Sequence, residues 1–293
     1  MSEPLISSLV DEYSHVDVLA LPSVHDVLRH LEGRVNFVHS ERIKSLRETM
    51  NQARRLRRKS YDVAFLVNRS FRSAVLARLA KIPIRVGHGT EGRSFLLTKS
   101  VTYNETDFEA SSYADLGRAM GIPISRVEPH LAVTDIEAKR GRDLAAGAKV
   151  AIQPGARWNY KQVPTKILVE AAKAARERGH HIVLVGGEEE KQAAEDLLKA
   201  IGDCAIDLVG RTNLRETIAV LSTVQVAVGG DTGVMHLAAG LGRPTVTVFG
   251  PTPIAKWGHH YAPHIALQAP DQDLEKMSPD IVVGEMLKRL GQP

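Results

Sequence analysis

The chain has 293 residues, 43% hydrophobic and 25% charged, which is long enough for two domains with their own cores and gives no sign of disorder. Its one cysteine, Cys204, excludes an intramolecular disulfide and metal-thiolate clusters and fits a reducing compartment. A net charge of +4 favours acidic ligands or anionic lipid surfaces, while aromatics at 5% are too sparse for base-stacking platforms, so no nucleic-acid partner is expected.

The first residues, MSEPLISSLVDEY, lack a positive region followed by an apolar core, and no run reaches the roughly 18 apolar residues that span a bilayer. A cytoplasmic chain with no transmembrane segment is expected. Strands and helices then alternate. Val16 to Leu21 reads as a strand, Asp26 to Leu31 as a helix, Val35 to Val38 as a strand and Glu41 to Arg58 as a long basic helix. Val63 to Val67, Phe71 to Ala80 and Ile84 to Val86 continue the rhythm. The segment VTDIEAKRGRDLAAGA breaks it, which sets the joint between Pro129 and Gly147 and predicts an amino domain over 1–138 and a second domain over 139–272.

The carboxyl half repeats the pattern. Strands are expected at Lys149 to Gln153, His181 to Val185, Ile206 to Val209, Val224 to Val228 and Thr245 to Phe249. Helices are expected at Pro164 to Arg178, Glu188 to Ile201 and Leu214 to Ser222, with a terminal helix within 273–293. Short loops between alternating strands and helices imply a parallel sheet covered on both faces. Ligands of such sheets bind at the carboxyl ends of the strands. The expected fold is therefore α/β, with two Rossmann-like doubly wound domains.

Chemistry gathers in GGDTGVMHLAAGLGRPTVTVFGPT, from Gly229 to Thr252. Gly229 and Gly230 let the chain turn sharply after a buried strand, and Asp231 and Thr232 open a helix. The N–H groups of Gly233 and Val234 have no acceptor inside that helix, and the aligned peptide dipoles favour a phosphate oxygen there. His236 follows Thr232 by four residues and shares its face. Two further loops reach the same end of the sheet. QPGARWNYKQVP offers Arg157 and Lys161 to a diphosphate. VGGEEE offers Glu190, a carboxylate able to accept both hydroxyls of a ribose. Thr252, in the turn after the last strand, closes the group. Each feature also has a structural reading: Asp-Thr caps any helix, acidic residues complement any first turn, and loop cations are often only solvated.

These residues, in this order, resemble glycosyltransferase family 9, the ADP-heptose transferases of the lipopolysaccharide inner core. The matching segments are Pro154-Gly155-Ala156 with Lys161 and Pro164, Gly186-Gly187 with Glu190, Gly210-Arg211-Thr212 with Leu214, Asp231-Thr232-Gly233 with His236, and Pro244 through Thr252. In the amino half, NRSFRSAVLARLAKIPIRVGHGTEGRSFLLT resembles the heptosyltransferase II branch. The resemblance implies a GT-B fold and metal-independent transfer of a heptose with inversion, without a cofactor. It further implies that Lys161, Thr232, Gly233 and His236 meet the nucleotide diphosphate, that Glu190 meets the ribose, and that Asp231 orients the cradle or the sugar. Arg69, Arg72, Arg85 and Arg93 would face an acceptor rich in carboxylates and phosphates, the anionic inner core at the inner face of the cytoplasmic membrane.

Departures from the family pattern carry expectations of their own. Val163 stands where a Trp is usual, and Gly230 replaces a frequent Asn. The family begins with a strand and a Gly-Asp loop whose Asp is the presumed general base. Here Pro4 to Tyr13 resembles the tail of the helix after that loop, so strand and base would lie upstream of Met1 and no catalytic residue is assigned. The first strand of a doubly wound sheet normally sits near its middle, so the amino domain is expected to show a gap there. Two rivals stay open: a non-catalytic nucleotide-sugar binding protein, and a nucleotide-sugar epimerase of the same plan. Asp271-Gln272-Asp273 has the D-x-D spacing of metal-dependent transferases but precedes a helix and reads as an N-cap. His180-His181 and His259-His260 lack the spacing of a metal pair, so no metal site is expected.

Overall fold

The computed structural model describes residues 1–40, 45–202 and 204–291, and the chain divides into two compact units, Met1–Pro129 and His130–Pro293. The division falls before 138, because 135–145 is not a linker. It forms a helix, α6, opened by a reciprocal cap between Thr134 and Glu137. Gly141 of α6 lies so close to the backbone of Ala219 that a Cβ there would stand 2.2 Å from its carbonyl oxygen, which seats the helix in the carboxyl unit.

In the amino unit the elements are α1 (Glu3–Glu12), β1 (Asp17–Ala20), α2 (Pro22–Val27), β2 (Asn36–His39), α3 (Leu46–Arg57), β3 (Val63–Leu66), α4 (Phe71–Leu79), β4 (Ile84–His88), β5 (Lys99–Val101) and α5 (Glu109–Arg118). The expected helix from Glu41 begins at Leu46, after a Ser45–Glu48 capping box; residues 41–44 lie outside the described residues. α2 starts at Pro22, earlier than Asp26, because proline suits a first helical turn. The strand β5 and helix α5 carry no clear periodicity and were not expected.

After α6 the carboxyl unit runs β6 (Val150–Ile152), α7 (Thr165–Glu177), β7 (Ile182–Leu184), α8 (Lys191–Ile201), β8 (Ala205–Asp207), α9 (Leu214–Leu221), β9 (Val226–Gly230), α10 (Gly233–Gly240), β10 (Thr245–Phe249), α11 (Ile254–Trp257), β11 (Ile265–Gln268) and α12 (Pro279–Arg289). Its six strands are all parallel in the order β11-β10-β9-β6-β7-β8. Numbered within the unit this is 6-5-4-1-2-3, the dinucleotide-fold order, whose direction reverses between β6 and β9. Both faces are covered. Val150, Ile152, Val226 and Val228 pack toward α7, α8 and α12, whereas Ala151, Val183 and Ala227 pack toward α6, α9 and α10. That is why these strands read as continuous apolar runs.

The amino unit repeats the scheme with its centre open. β1 pairs with β2, β3 with β4 and β4 with β5, all in parallel, but among the described residues the two sheets do not join. Between them lies a cavity of about 680 Å³ lined by Val16 to Ala20, by Tyr61 to Asn68, and by α1 and α4. Counted against the carboxyl sheet, β2, β1, β3, β4 and β5 occupy positions three, two, four, five and six, and the cavity holds position one. The expected gap is therefore present. Asp17 bolts its two sides together, accepting from Lys59 at 2.8 Å, from Asn36 at 2.9 Å and from the Tyr61 hydroxyl.

Candidate functional site

The switch point of the carboxyl sheet, where β6 and β9 lie side by side, is where a doubly wound sheet opens a crevice, and the loops leaving these two strands carry the candidate side chains Lys161, Asp231 and His236. After β9 the chain turns through Gly230, and a Cβ there would stand 2.5 Å from the carbonyl oxygen of Lys161. Glycine is thus required for the β6 loop to lie against the strand end. That contact delivers Lys161 to Asp231, Nζ to Oδ2 at 2.6 Å, with Asp231 only 3% exposed and Lys161 20%. His236 approaches the other oxygen, Nε2 to Oδ1 at 3.4 Å. Burial pushes the Asp231 carboxyl up, but hydrogen bonds from His236 and Lys161 outweigh it and hold the group below the ordinary aspartate range.

Thr232 caps α10 only through its extended backbone. Its side chain makes no cap hydrogen bond, and its hydroxyl is buried with no hydrogen-bond partner in the structure. The first-turn N–H groups of an eight-residue helix are therefore presented with no side-chain cap from Thr232. A Cβ at Gly233 would meet open space, so the backbone there can be approached closely. The Thr252 hydroxyl, in the turn after β10, is likewise buried with no hydrogen-bond partner. In the turn after β7, Glu190 packs against Gly155 of the β6 loop and accepts the Gly187 N–H with one carboxylate oxygen.

His236 leads into a second layer. Its Nδ1 lies 2.9 Å from His259 Nε2, and His259 Nδ1 lies 3.0 Å from the Tyr261 hydroxyl. Burial first, then the neighbouring His236 and His264, lower the His259 pKa to about 2. Sequence alone does not reveal this line, because His259 lies 23 residues from His236 and reads there only as half of an adjacent pair. Sequence reasoning also missed Gln153, which is buried at the end of β6 and donates to the Gly155 carbonyl. A polar residue closing an apolar strand was the available signal.

The arginines of the amino unit sit differently from one another. Arg93 is fully buried and donates to the carbonyls of His88, Asn68 and Ser70. Arg85 donates to the carbonyls of Leu96, Ile82 and Pro83. Both side chains brace backbone. Arg69 pairs with Glu109 at 2.8 Å and lies over the Tyr103 ring, while Arg72 is exposed on α4. Asp273 caps a short turn at Leu274–Lys276 and does not cap α12, and Asp271 pairs with Lys276. Arg157 is exposed beside Trp158.

The parallel sheet in dinucleotide-fold order, with Lys161, Asp231 and His236 grouped at its switch point, defines a doubly wound α/β protein. The sequence pattern of Glycosyltransferase family 9 (heptosyltransferase) matches residues 50–277, and the chain belongs to that family. Lipopolysaccharide heptosyltransferase 2 of Salmonella typhimurium is 28% identical over 221 residues, 67% of this chain; the match spans 62% of that relative's length. Lipooligosaccharide heptosyltransferase 2 of Haemophilus ducreyi is 26% identical over 92% of this chain and 83% of its own. Among solved structures, ADP-heptose lps heptosyltransferase II of E. coli superimposes with a TM-score of 0.83 at 25% identity, covering 99% of this chain and 94% of the other. E. coli heptosyltransferase WaaC with ADP gives 0.78 at 17% identity over 98% and 95%, a likeness of fold. The fold is thus the GT-B fold of the heptosyltransferases. No described helix is long and apolar enough to cross a membrane.

Proposed function

We propose that this chain binds ADP-heptose and transfers its heptose, with inversion, to the inner core of lipopolysaccharide. The observation that carries the reading is the Lys161–Asp231–His236 group at the unblocked start of α10, on the switch point of a sheet belonging to a heptosyltransferase family. The acceptor hydroxyl gives its proton to a carboxylate base as its oxygen attacks the anomeric carbon, while the bond from that carbon to the diphosphate oxygen breaks and ADP departs with both electrons. Charge growing on the leaving diphosphate is met by Lys161, by the N–H groups of Gly233 and Val234, and by the hydroxyls of Thr232 and Thr252, an arrangement set before the reaction begins. Glu190 receives the ribose. Arg72 and Arg69 meet anionic groups of the acceptor, with Arg85 and Arg93 holding their loops. The general base is assigned to no residue here, and the site of action is the cytoplasmic face of the inner membrane.

A second reading, a non-catalytic binder of the same nucleotide sugar, is favoured by the open centre of the amino sheet. Calorimetric titration with ADP and ADP-heptose, followed by an assay of ADP release in the presence of a heptose-bearing inner-core acceptor, separates the two. Binding with turnover supports the transferase, and binding without turnover supports the second reading. No binding of either nucleotide removes both.

A further inference from the structure

We propose that His259 is a positioning residue that fixes the tautomer of His236, so that His236 presents its Nε2–H toward Asp231 and the start of α10. The inference rests on reading that helix start as the diphosphate site. Three groups lie in line behind His236: His236 Nδ1 to His259 Nε2 at 2.9 Å, then His259 Nδ1 to the Tyr261 hydroxyl at 3.0 Å. His259 is 5% exposed, and its ring also packs edge-on to Tyr261 and tilted against His264, so it has little freedom to rotate. Burial keeps it neutral, and a neutral imidazole has one donor nitrogen and one acceptor nitrogen. Only two polarities of the line are then open to a neutral His236.

In the first polarity the Tyr261 hydroxyl donates to His259 Nδ1, His259 Nε2–H donates to His236 Nδ1, and His236 carries its proton on Nε2. In the second every donor is reversed, and His236 turns a lone pair toward Asp231. The carboxylate favours the first, and the His259 N–H bonded to Nδ1 locks His236 in it. Asp231 is held ionised by Lys161 at 2.6 Å, and its Oδ1 faces His236 Nε2 at 3.4 Å, so the second polarity sets a lone pair against an anion. His259 therefore acts as the donor that leaves His236 a fixed N–H at the mouth of the site. A diphosphate oxygen arriving beside Asp231 Oδ1 shares that fixed hydrogen with the carboxylate, alongside the backbone N–H groups of α10.

The test is a double-mutant cycle on ADP affinity, measured by calorimetry on the full chain at pH 8, with thermal melts of every variant. His236→Ala should weaken ADP by roughly tenfold or more, the size of one hydrogen bond to a charged group. His259→Phe keeps a ring and removes the donor, and should weaken ADP roughly threefold to tenfold. His259→Gln sets an amide N–H where Nε2–H stood and should restore affinity to within about twofold. The cycle then reads the mechanism: in the His236→Ala background, His259→Phe should have no further effect. Full additivity, or failure of Gln to rescue while the melts stay alike, would mean His259 only fills space, and the proposal falls. If His259→Phe does not fold, the Gln variant combined with the nitrogen chemical shifts of His236 decides: protonation on Nδ1 in the wild-type chain overturns the assignment. Should His236→Ala itself leave ADP affinity unchanged, the reading of the site has failed, a result distinct from failure of the relay.

Discussion

Asp231 is an ionised group with almost no access to water, and it stays ionised because Lys161 and His236 each present a proton to one of its oxygens. Removing Lys161 therefore does two things to an arriving diphosphate. On the proposed reading it deletes a cation, and it leaves a buried carboxylate near the phosphates with only His236 to answer it. Lys161→Met is expected to weaken ADP by about tenfold or more, from a charge-assisted bond of roughly 1.5–3 kcal/mol, and to flatten the salt dependence of binding. Calorimetry at two ionic strengths checks both parts. Gly230 matters for a related reason. Its missing side chain is what lets the Lys161 carbonyl approach to where a Cβ would sit 2.5 Å away, and backbone cannot swing aside as a side-chain tip can. Gly230→Ala should cost about 1–3 kcal/mol in a urea melt and weaken ADP as well, because the displaced loop carries Lys161 with it. An unchanged midpoint would show that the loop relaxes freely.

Among the elements, β1 and β3 are informative because each is bonded on one side only. Asp17 links their starts through Lys59 and Tyr61, and it answers Asn36 on β2 as well. Burial pushes its carboxyl up, but the hydrogen bonds from Lys59, Tyr61 and Asn36 prevail and bring the pKa down to about 2 from an ordinary 3.8. A carboxyl whose folded pKa is depressed contributes stability that is fully present above the unfolded value and is lost as pH falls through the folded one. The wild-type chain should therefore exceed Asp17→Asn in melting temperature at neutral pH. The difference should close between about pH 4 and pH 2. Curves that stay apart down to that limit would remove Asp17 as the bolt.

At the scale of the whole molecule, the two units apply one topological rule to different effect. The carboxyl sheet has six strands in unbroken register, with Val150, Ile152, Val226 and Val228 at zero exposure. The amino sheets have two and three strands, with a cavity of about 680 Å³ between the unpaired edges of β1 and β3. An apolar void forfeits packing contacts, and an unpaired edge leaves its amides to exchange. Amide hydrogen exchange read by mass spectrometry should accordingly be fast in peptides spanning β1 and β3 and slowest in β6, β9 and β10. Equal protection in the two sets would show that the split costs the amino unit nothing.

Much of this was legible in the chain itself, wherever neighbours in sequence decide the outcome. Val224 to Gly230 announces a strand buried on both faces and a sharp turn, and Asp231-Thr232 announces the helix behind it, because periodicity and capping are properties of a few consecutive residues. The order of the loops, and so the grouping of Lys161, Asp231 and His236, follows from strands that alternate with helices. Within the joint expected between Pro129 and Gly147, 135–145 forms a helix that sequence does not announce, because its polar face hides how closely Gly141 seats against Ala219. Arg93 and Arg72 look alike as letters, and only packing buries the first among carbonyls and leaves the second exposed. The proximity of His259 to His236 was beyond any local pattern, since it depends on where a loop after β10 returns over α10. Sequence determines what forms within a turn or two of the chain; which distant groups then share a proton is decided by the closing of the fold around them.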